Sequence, residues 1–290
     1  MSERVSSNPT IVLFPQGTLS GEGEVQLVDR DAGIVVVDST PFHPVDHTWP
    51  DQPGDTGTIT VDGSAAQITE AVMAAVADDG NFAVGADIPV KRGAEGWTWL
   101  VGHRVEGEIP AQLAPGATAV LEVDADRRES LSRGHTACHL ASLALDAALA
   151  DLWRKDVAAD PLGNPDFEGR ANQSSRIHAD GSVDEYRLGK SLRKAGFDSE
   201  GLSATLAERE QRINEVLAGW VAAGGASRID ADGPTIVDRR TWRCTLPEGE
   251  VGFLCGGTHV HSLAEFASIT VSLDLSDPQL LVMTTTALPA

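Results

Sequence analysis

Two short stretches of the chain carry side chains able to hold a metal ion. RGHTACHLASLALDAAL, from Arg133, contains His135 and His139; FLCGGTHVHS, from Phe253, contains Cys255 and His259. Three residues separate the members of each pair, and the pairs lie 116 residues apart, from 139 to 255. On a helix, residues i and i+4 stand one turn apart on one face, so His135 and His139 can aim ring nitrogens at a common ion. Alone, such a pair is read as readily as two histidines in ordinary hydrogen bonds. The second pair changes that reading. Glycines in CGGTH permit a tight turn that lets thiolate and imidazole converge, and the backbone N–H groups of Gly256 and Gly257 are candidates to face a substrate oxygen. Three imidazoles and one thiolate make a borderline-soft set that suits Zn²⁺ better than Mg²⁺ or Ca²⁺. Cys138 reads as a small helix-packing residue and Cys244 as a structural one.

The elements that must position these residues change character along the chain. Residues 9–125 are β-rich: TIVLF, EVQLVD, GIVVVD, GTITVD, WTWLVGHRV and ATAVLEVD are short apolar or alternating runs between Gly, Pro and Asp turn signals. One stretch there, ITEAVMAAVA, has the spacing of a helix. From 126 the periodicity becomes helical through RRESLSRGHTACHLASLALDAALADLW, followed by a loop, DPLGNPDFEGRANQSS, read as an exposed excursion. A second helix lies in SATLAEREQRINEVLAGWVAAG, closed by a Gly pair. TIVDRRTWRCTLP, VGFLCGGTHV and ASITVSLDL return to strands and turns. The expected fold is α+β: a small β-barrel-like domain over 1–125, then an α+β zinc-containing domain over 126–290.

Composition bounds the partners. The 290 residues suffice for one or two domains. With 22 basic and 43 acidic residues the net charge is 22 − 43 = −21, which argues against a general electrostatic grip on nucleic acid. A local basic face remains open: YRLGKSLRKAG sets Arg187, Lys190 and Lys194 at i, i+3 and i+7, and DRR at 126–128 with Arg133 adds charge before the first histidine. Solvated surface charge is the plainer reading of both. Three cysteines are too few for a disulfide framework. The N-terminus, MSERVSSNPT, lacks the apolar stretch of a signal peptide, and no run approaches about 18 apolar residues, so the chain reads as cytoplasmic.

HTACH followed far downstream by CGGTHV resembles the editing domain of alanyl-tRNA synthetase and the freestanding alanyl-tRNA editing proteins of the AlaX type. STPFHP with QPGDTG, Ser39 to Gly57, looks like that family's T-x-F-Y-P-x-x-G-G-Q-x-G-D-x-G loop. VDADRRESLSRGHT is similar to its D-x-x-R-R run, INE at Ile213 to Glu215 to its V-N-x-x-I helix, and HVHSLAEF to H-V-x-N-T-x-E-I. The matches run in the family's order from about residue 35 to 270, with no segment for an aminoacylation domain. One departure stands out: the G-G-Q turn is replaced by VDHTWPDQ, in which His47, Trp49 and Pro50, with His43 just before it, predict a bulkier, stiffer loop.

The resemblance implies a zinc-dependent deacylase that cleaves the ester of mischarged Ser-tRNA or Gly-tRNA for alanine, with mischarged alanine tRNA as partner. It implies His135, His139, Cys255 and His259 as zinc ligands, and Thr40 and Gln52 as catalytic-pocket residues. Thr40 would offer its hydroxyl to the seryl side chain. Arg133, Gly256, Gly257, Lys190 and Lys194 are the candidate substrate contacts. Zinc suits ester cleavage by polarising the carbonyl or lowering the pKa of water toward about 7. Four candidates exceed the three protein ligands usual at a catalytic zinc, so one binds weakly or the ion positions substrate only. Two other readings compete: a zinc-dependent hydrolase of a small ester or amide, and a non-catalytic, zinc-stabilised tRNA-binding module.

Overall fold

The computed structural model describes residues 3–4 and 8–290. The chain is a mixed α/β protein, mostly strands, and among the described residues no helix is long and apolar enough to cross a membrane. Two compact units form: Met1–Arg128 with Ile229–Arg240 and Gly256–Thr258, and Glu129–Arg228 with Thr241–Cys255 and His259–Ala290. The division is therefore not a single cut; the chain re-enters the first unit twice. Residues 229–240 are tied there by Val12 N–H to Pro234 O (2.9 Å) and Ile236 N–H to Thr10 O (3.0 Å).

The first unit holds β1 (Glu3–Arg4), β2 (Ile11–Val12), β3 (Ser20–Asp29), β4 (Ile34–Val37), β5 (Ser39–Thr40), β6 (Gly57–Val61), β7 (Ser64–Ala77), β8 (Phe82–Val84), β9 (Trp97–Val105) and β10 (Thr118–Val123). Pairing runs β3-β10-β6-β7-β9-β4 and returns from β4 to β3, so the sheet closes into a ring. Successive side chains of a strand point to opposite faces. In β7, Ala71, Met73 and Ala75 enter one buried cluster with Val35, Val37 and Val101. The intervening Val72, Ala74 and Val76 enter another with Ile34, Val36 and Leu100.

That double burial corrects the helix expected at ITEAVMAAVA, which is residues 68–77 of the 14-residue strand β7. A strand covered on both faces shows a continuous apolar run rather than alternation, and alanines fill it without revealing the period. Pairing with β9 from Ile68 to Ala77 then outweighs the helix propensity of the alanines.

The second unit carries most of α1 (Ala125–Ala148), then α2 (Glu168–Ala171), β11 (Asn172–His178), β12 (Gly181–Arg187), α3 (Lys190–Ala195) and α4 (Ser199–Ala223). β13 (Ser227–Ala231) lies mostly in the first unit; β14 (Arg240–Leu246) pairs with β15 (Gly249–Leu254), and β16 (Phe266–Asp277) and β17 (Leu280–Pro289) follow. A four-stranded sheet, β11-β12-β17-β16, leaves β16 at an edge, and α4 covers it with polar side chains. Asn214 donates to Val271 O (3.0 Å) and accepts from Val271 N–H (2.7 Å), and Glu210 accepts from Leu273 N–H (2.7 Å). Edge groups so satisfied cannot recruit another strand. Both long helices stand where their periodicity put them, and Gly224 closes α4 in the left-handed region at φ 60°.

Two readings of this unit need correction. The excursion around 160–175 is not all exposed: Phe167 and Ala171 are buried in the core, and Asn172 begins β11. Arg187 ends β12, and α3 starts only at Lys190, so Arg187, Lys190 and Lys194 do not share a helical face. Gly189, between them, is extended at φ −79° and ψ −178°, which breaks any continuous helix.

Asp146, buried on α1, accepts the Phe167 and Glu168 N–H groups, each at 3.0 Å. Burial, reinforced by the charges of Asp160, Asp166 and Glu168, raises its carboxyl from 3.8 to about 8. A pKa raised on folding contributes stability that is full below about 3.8 and is lost as pH rises through about 8. Asp146→Asn keeps an oxygen for both N–H donors and removes the ionisation. The variant's thermal midpoint should fall less than the parent's between those pH values; equal slopes would place the titration elsewhere.

Candidate metal centre

His135 and His139 lie on α1, one turn apart, and Cys255 and His259 flank the irregular stretch after β15. All four belong to the second unit, and their ligand atoms lie within 4.8 Å of one another. The Cys255 Sγ is 3.4 Å from His135 Nε2 and 3.3 Å from His259 Nε2. Burial lowers His135 to about 4 and holds His139 well below the usual histidine value, the latter also through the neighbouring His135 charge, so both rings are neutral and able to ligate. The structure thus gathers a group able to hold a metal ion.

Local packing fixes these rings. Trp242 and Phe253 sit opposite each other across the β14–β15 pair, and His139 stacks on both, with centroids 5.1 and 5.2 Å away. Trp242 is itself held by its Nε1–H to Ser227 Oγ (2.8 Å). In this position His139 Nε2 is buried without a hydrogen-bond partner. Leaving such an atom unpaired costs about 1–3 kcal/mol, and an ion among the four donors removes that cost. Thr136 serves His259: its Oγ1 accepts Val260 N–H (3.2 Å) and lies 3.2 Å from His259 Nδ1. With Nδ1–H donated to Thr136, Nε2 keeps its lone pair for the metal.

A close backbone approach underlies the histidine pair. A Cβ on Gly134 would stand 2.5 Å from His178 O and 2.7 Å from Gly181 O, so only glycine lets α1 lie against the β11–β12 turn. Gly256 and Gly257 differ from expectation: neither has a positive φ. A Cβ on Gly256 would make ordinary contacts, 3.6 Å from Arg92 Nη1. The stretch is a bend rather than a glycine-dependent tight turn.

The remaining expected residues fall as follows. In the first unit Gln52 is buried and clamps Thr258: its Nε2 donates to Thr258 Oγ1 (2.9 Å) and its Oε1 accepts Thr258 N–H (3.0 Å). Thr258 immediately precedes His259 in the chain. Thr40 is fully buried, 2.8 Å from His103 Nε2, and accepts Phe42 N–H (3.1 Å). The His103 Nδ1 faces Val35 O (3.1 Å), and burial lowers this histidine to about 4. A neutral ring with Nδ1–H bound to the carbonyl leaves Nε2 as acceptor, so Thr40 donates its proton there. Arg133 is engaged by Asp180 (Nε to Oδ1, 2.6 Å) and Glu129. Lys190 and Lys194 are exposed on α3.

Arg128 corrects the basic run at 126–128. It is buried, its Nε 2.9 Å from Asp55 Oδ1, its Nη2 bonded to Asp55 Oδ2 and Pro41 O, so it holds the loop after β5 instead of facing a phosphate. Asp55 and Arg128 both stand in motifs readable in the sequence, yet nothing in their 73-residue separation announced the pair. Thr136, Trp242 and Phe253 were also missed. The threonine between the two histidines was the available signal; the aromatic pair had none until the hairpin register was known. Cys138, for its part, donates to Asp184 Oδ1 (3.3 Å) away from the four donors, and Cys244 is buried in the core.

Over 253 residues, 87% of its length, the chain is 28% identical to an alanine–tRNA ligase of Parafrankia sp.. Over 252 residues, 86% of its length, it is 27% identical to the alanine–tRNA ligase of Frankia casuarinae. Each match covers 23% of the relative, so the chain spans about a quarter of the length of the curated relatives it matches. The chain is similar to part of an alanine–tRNA ligase. No protein-family profile matches it.

The purified protein is expected to carry about one metal ion per chain by native mass spectrometry. His139→Ala and Cys255→Ala should each lose most of it, and Thr136→Val should weaken affinity about 10- to 100-fold. Full metal content in both ligand variants would exclude this centre.

Proposed function

We propose that the chain is an editor that hydrolyses the ester joining serine or glycine to alanine tRNA, with zinc as its metal. The observation that carries this reading is the convergence of His135, His139, Cys255 and His259. Its setting, a chain similar over most of its length to part of alanine–tRNA ligases, supports a tRNA-related role. The resemblance of its motifs to alanyl-tRNA editing proteins supplies the reaction. Three imidazoles and a thiolate fit zinc in donor type. A tetrahedral ion with bonds of about 2.0–2.3 Å spaces its donors by roughly 3.3–3.8 Å, and both sulfur–nitrogen contacts fall at that range, 3.3 and 3.4 Å. When bound, zinc supplies a Lewis acid for the ester carbonyl.

The chain's own residues orient the rest. Thr136 holds the His259 ring, and Gln52 holds Thr258 on both its side chain and its N–H. We assign Thr40 the reading of the seryl side chain. Because its proton goes to His103, it meets a substrate hydroxyl as an acceptor. Gly256 and Gly257 remain the proposed contacts to substrate oxygens, and Lys190 a contact to phosphate. The altered loop is braced from within: Asp46 accepts Thr48 N–H (2.7 Å) and Trp49 N–H (3.1 Å), and Arg92 pairs with it at 3.2 Å. A loop so tied presents Trp49, 48% exposed, as a fixed surface.

One observation favours a second reading. Four protein donors make a closed set of the kind that structural zinc uses, which suits a non-catalytic tRNA-binding module. Deacylation assays separate the two. The metal-loaded protein should release serine and glycine from alanine tRNA faster than alanine. Thr40→Val should lower serine release by one to two orders of magnitude, from a buried hydrogen bond of about 1–3 kcal/mol at tenfold per 1.4 kcal/mol. Glycine release should change far less. Loss of the His103 and Phe42 partners also destabilises the fold, but that affects both substrates alike, so equal losses would make Thr40 structural. Binding of tRNA without any release of amino acid would leave the module.

A further inference from the structure

A cleft of about 490 Å³ in the second unit is lined by Arg170, Arg187, Lys190 and Arg193, with Gln173 and Gln279. The cations come from four separate places: the last turn of α2, the end of β12, and the first and fourth residues of α3. Among the described residues no carboxylate lines the cleft. Asp277, the nearest in sequence to Gln279, accepts that residue's own N–H at 2.8 Å.

With 43 acidic residues to 22 basic, acids are at hand elsewhere in the chain. Arg128, Arg133, Arg154, Arg209 and Arg228 each hold a carboxylate. Among the described residues, none of the four cleft cations makes an ion pair. Four positive charges held together repel one another, and an anion among them would relieve that repulsion. Arg193 is also held in place, its Nη1 donating to Leu188 O at 3.0 Å, which leaves its other N–H groups fixed in direction. Arg187 lies along Gly189, whose missing Cβ would stand 3.4 Å from Arg187 Nε.

We propose that this cleft takes successive phosphates of an RNA backbone, and that it is where the acidic chain grips its tRNA. This rests on the tRNA substrate proposed above. Guanidinium forks bind phosphate oxygens in pairs, and glutamine amides at the cleft wall offer neutral donors to phosphate or to a 2′-hydroxyl. The grip is local, so the overall charge of −21 repels nucleic acid everywhere but here and sets its orientation. Lys194 is not among the lining residues, and its carbonyl accepts Lys155 Nζ (2.9 Å).

The test compares the metal-loaded protein with the triple variant Arg170→Gln, Arg187→Gln, Lys190→Gln. A control, Lys91→Gln, Arg104→Gln, Arg239→Gln, removes the same charge from exposed sites of the first unit. Binding of an alanine tRNA transcript is followed by fluorescence anisotropy from about 50 to 200 mM salt, a range over which phosphate contacts register. Each lost contact lowers the slope of log K on log salt by about 0.7–0.9, so the cleft variant should lose about 2–3 from the slope and bind at least tenfold more weakly. The control should match the parent slope, and all three should melt alike. Equal slopes for the two variants overturn the cleft, as does a parent that binds no tRNA. Loss of inorganic phosphate binding alone, without an effect on tRNA, overturns the RNA assignment. The same samples are scored for release of serine from tRNA. A parent that shows the slope difference but releases none sinks the editing reading and leaves the cleft standing. Release with equal slopes does the reverse.

Discussion

Three imidazoles and a thiol gathered within 4.8 Å of one another leave a ring nitrogen of His139 without a partner. Buried rings are kept neutral, each has one proton to give, and a ring nitrogen facing other acceptors is left unpaired. His139 Nε2 is in that state. Much of the second unit answers to this constraint. Gly134 lets the helix carrying two donors approach the β11–β12 turn, the aromatic pair on the β14–β15 hairpin sets the plane of His139, and Thr136 sets His259. A cation at the centre would be the counterpart that all of these arrangements share.

In the first unit a different charge problem is solved by pairing. Asp55 and Arg128 are both buried, and each makes the other tolerable; removing either alone would leave an uncompensated charge, a change that typically costs about 3–5 kcal/mol. Asp55 also accepts His43 N–H, and its backbone joins His43 O and Ala71 N–H. The loop from β5 to β6 is thereby fixed at its far end, and Asp46 and Gln52 fix it within.

What the sequence made legible depended on whether the signal was local. The two long helices carry their period over many turns, and the donor pairs carry theirs at i and i+4, so both could be read directly. β7 was misread because burial on both faces erases alternation, and alanine fits either conformation. The basic cleft was half seen. Lys190 and Arg187 are near in sequence, but Arg170 reaches them only through the fold, and the helical face assumed for the group is interrupted at Gly189. Arg128 and Arg133 looked like free charge because a sequence does not show which acid a base will meet.

The interleaving of the two units has a consequence for synthesis. The first unit takes its last three residues from Gly256–Thr258, and Gln52 finds its partner there. An emerging N-terminal segment must therefore wait until residue 258 has left the ribosome before its own hydrogen bonds are complete. The usual order, in which an N-terminal unit finishes folding before the next begins, is not open to it. Until then the buried polar groups of the loop, Gln52 first among them, have water as their partner, and a fragment ending before residue 258 would keep them there.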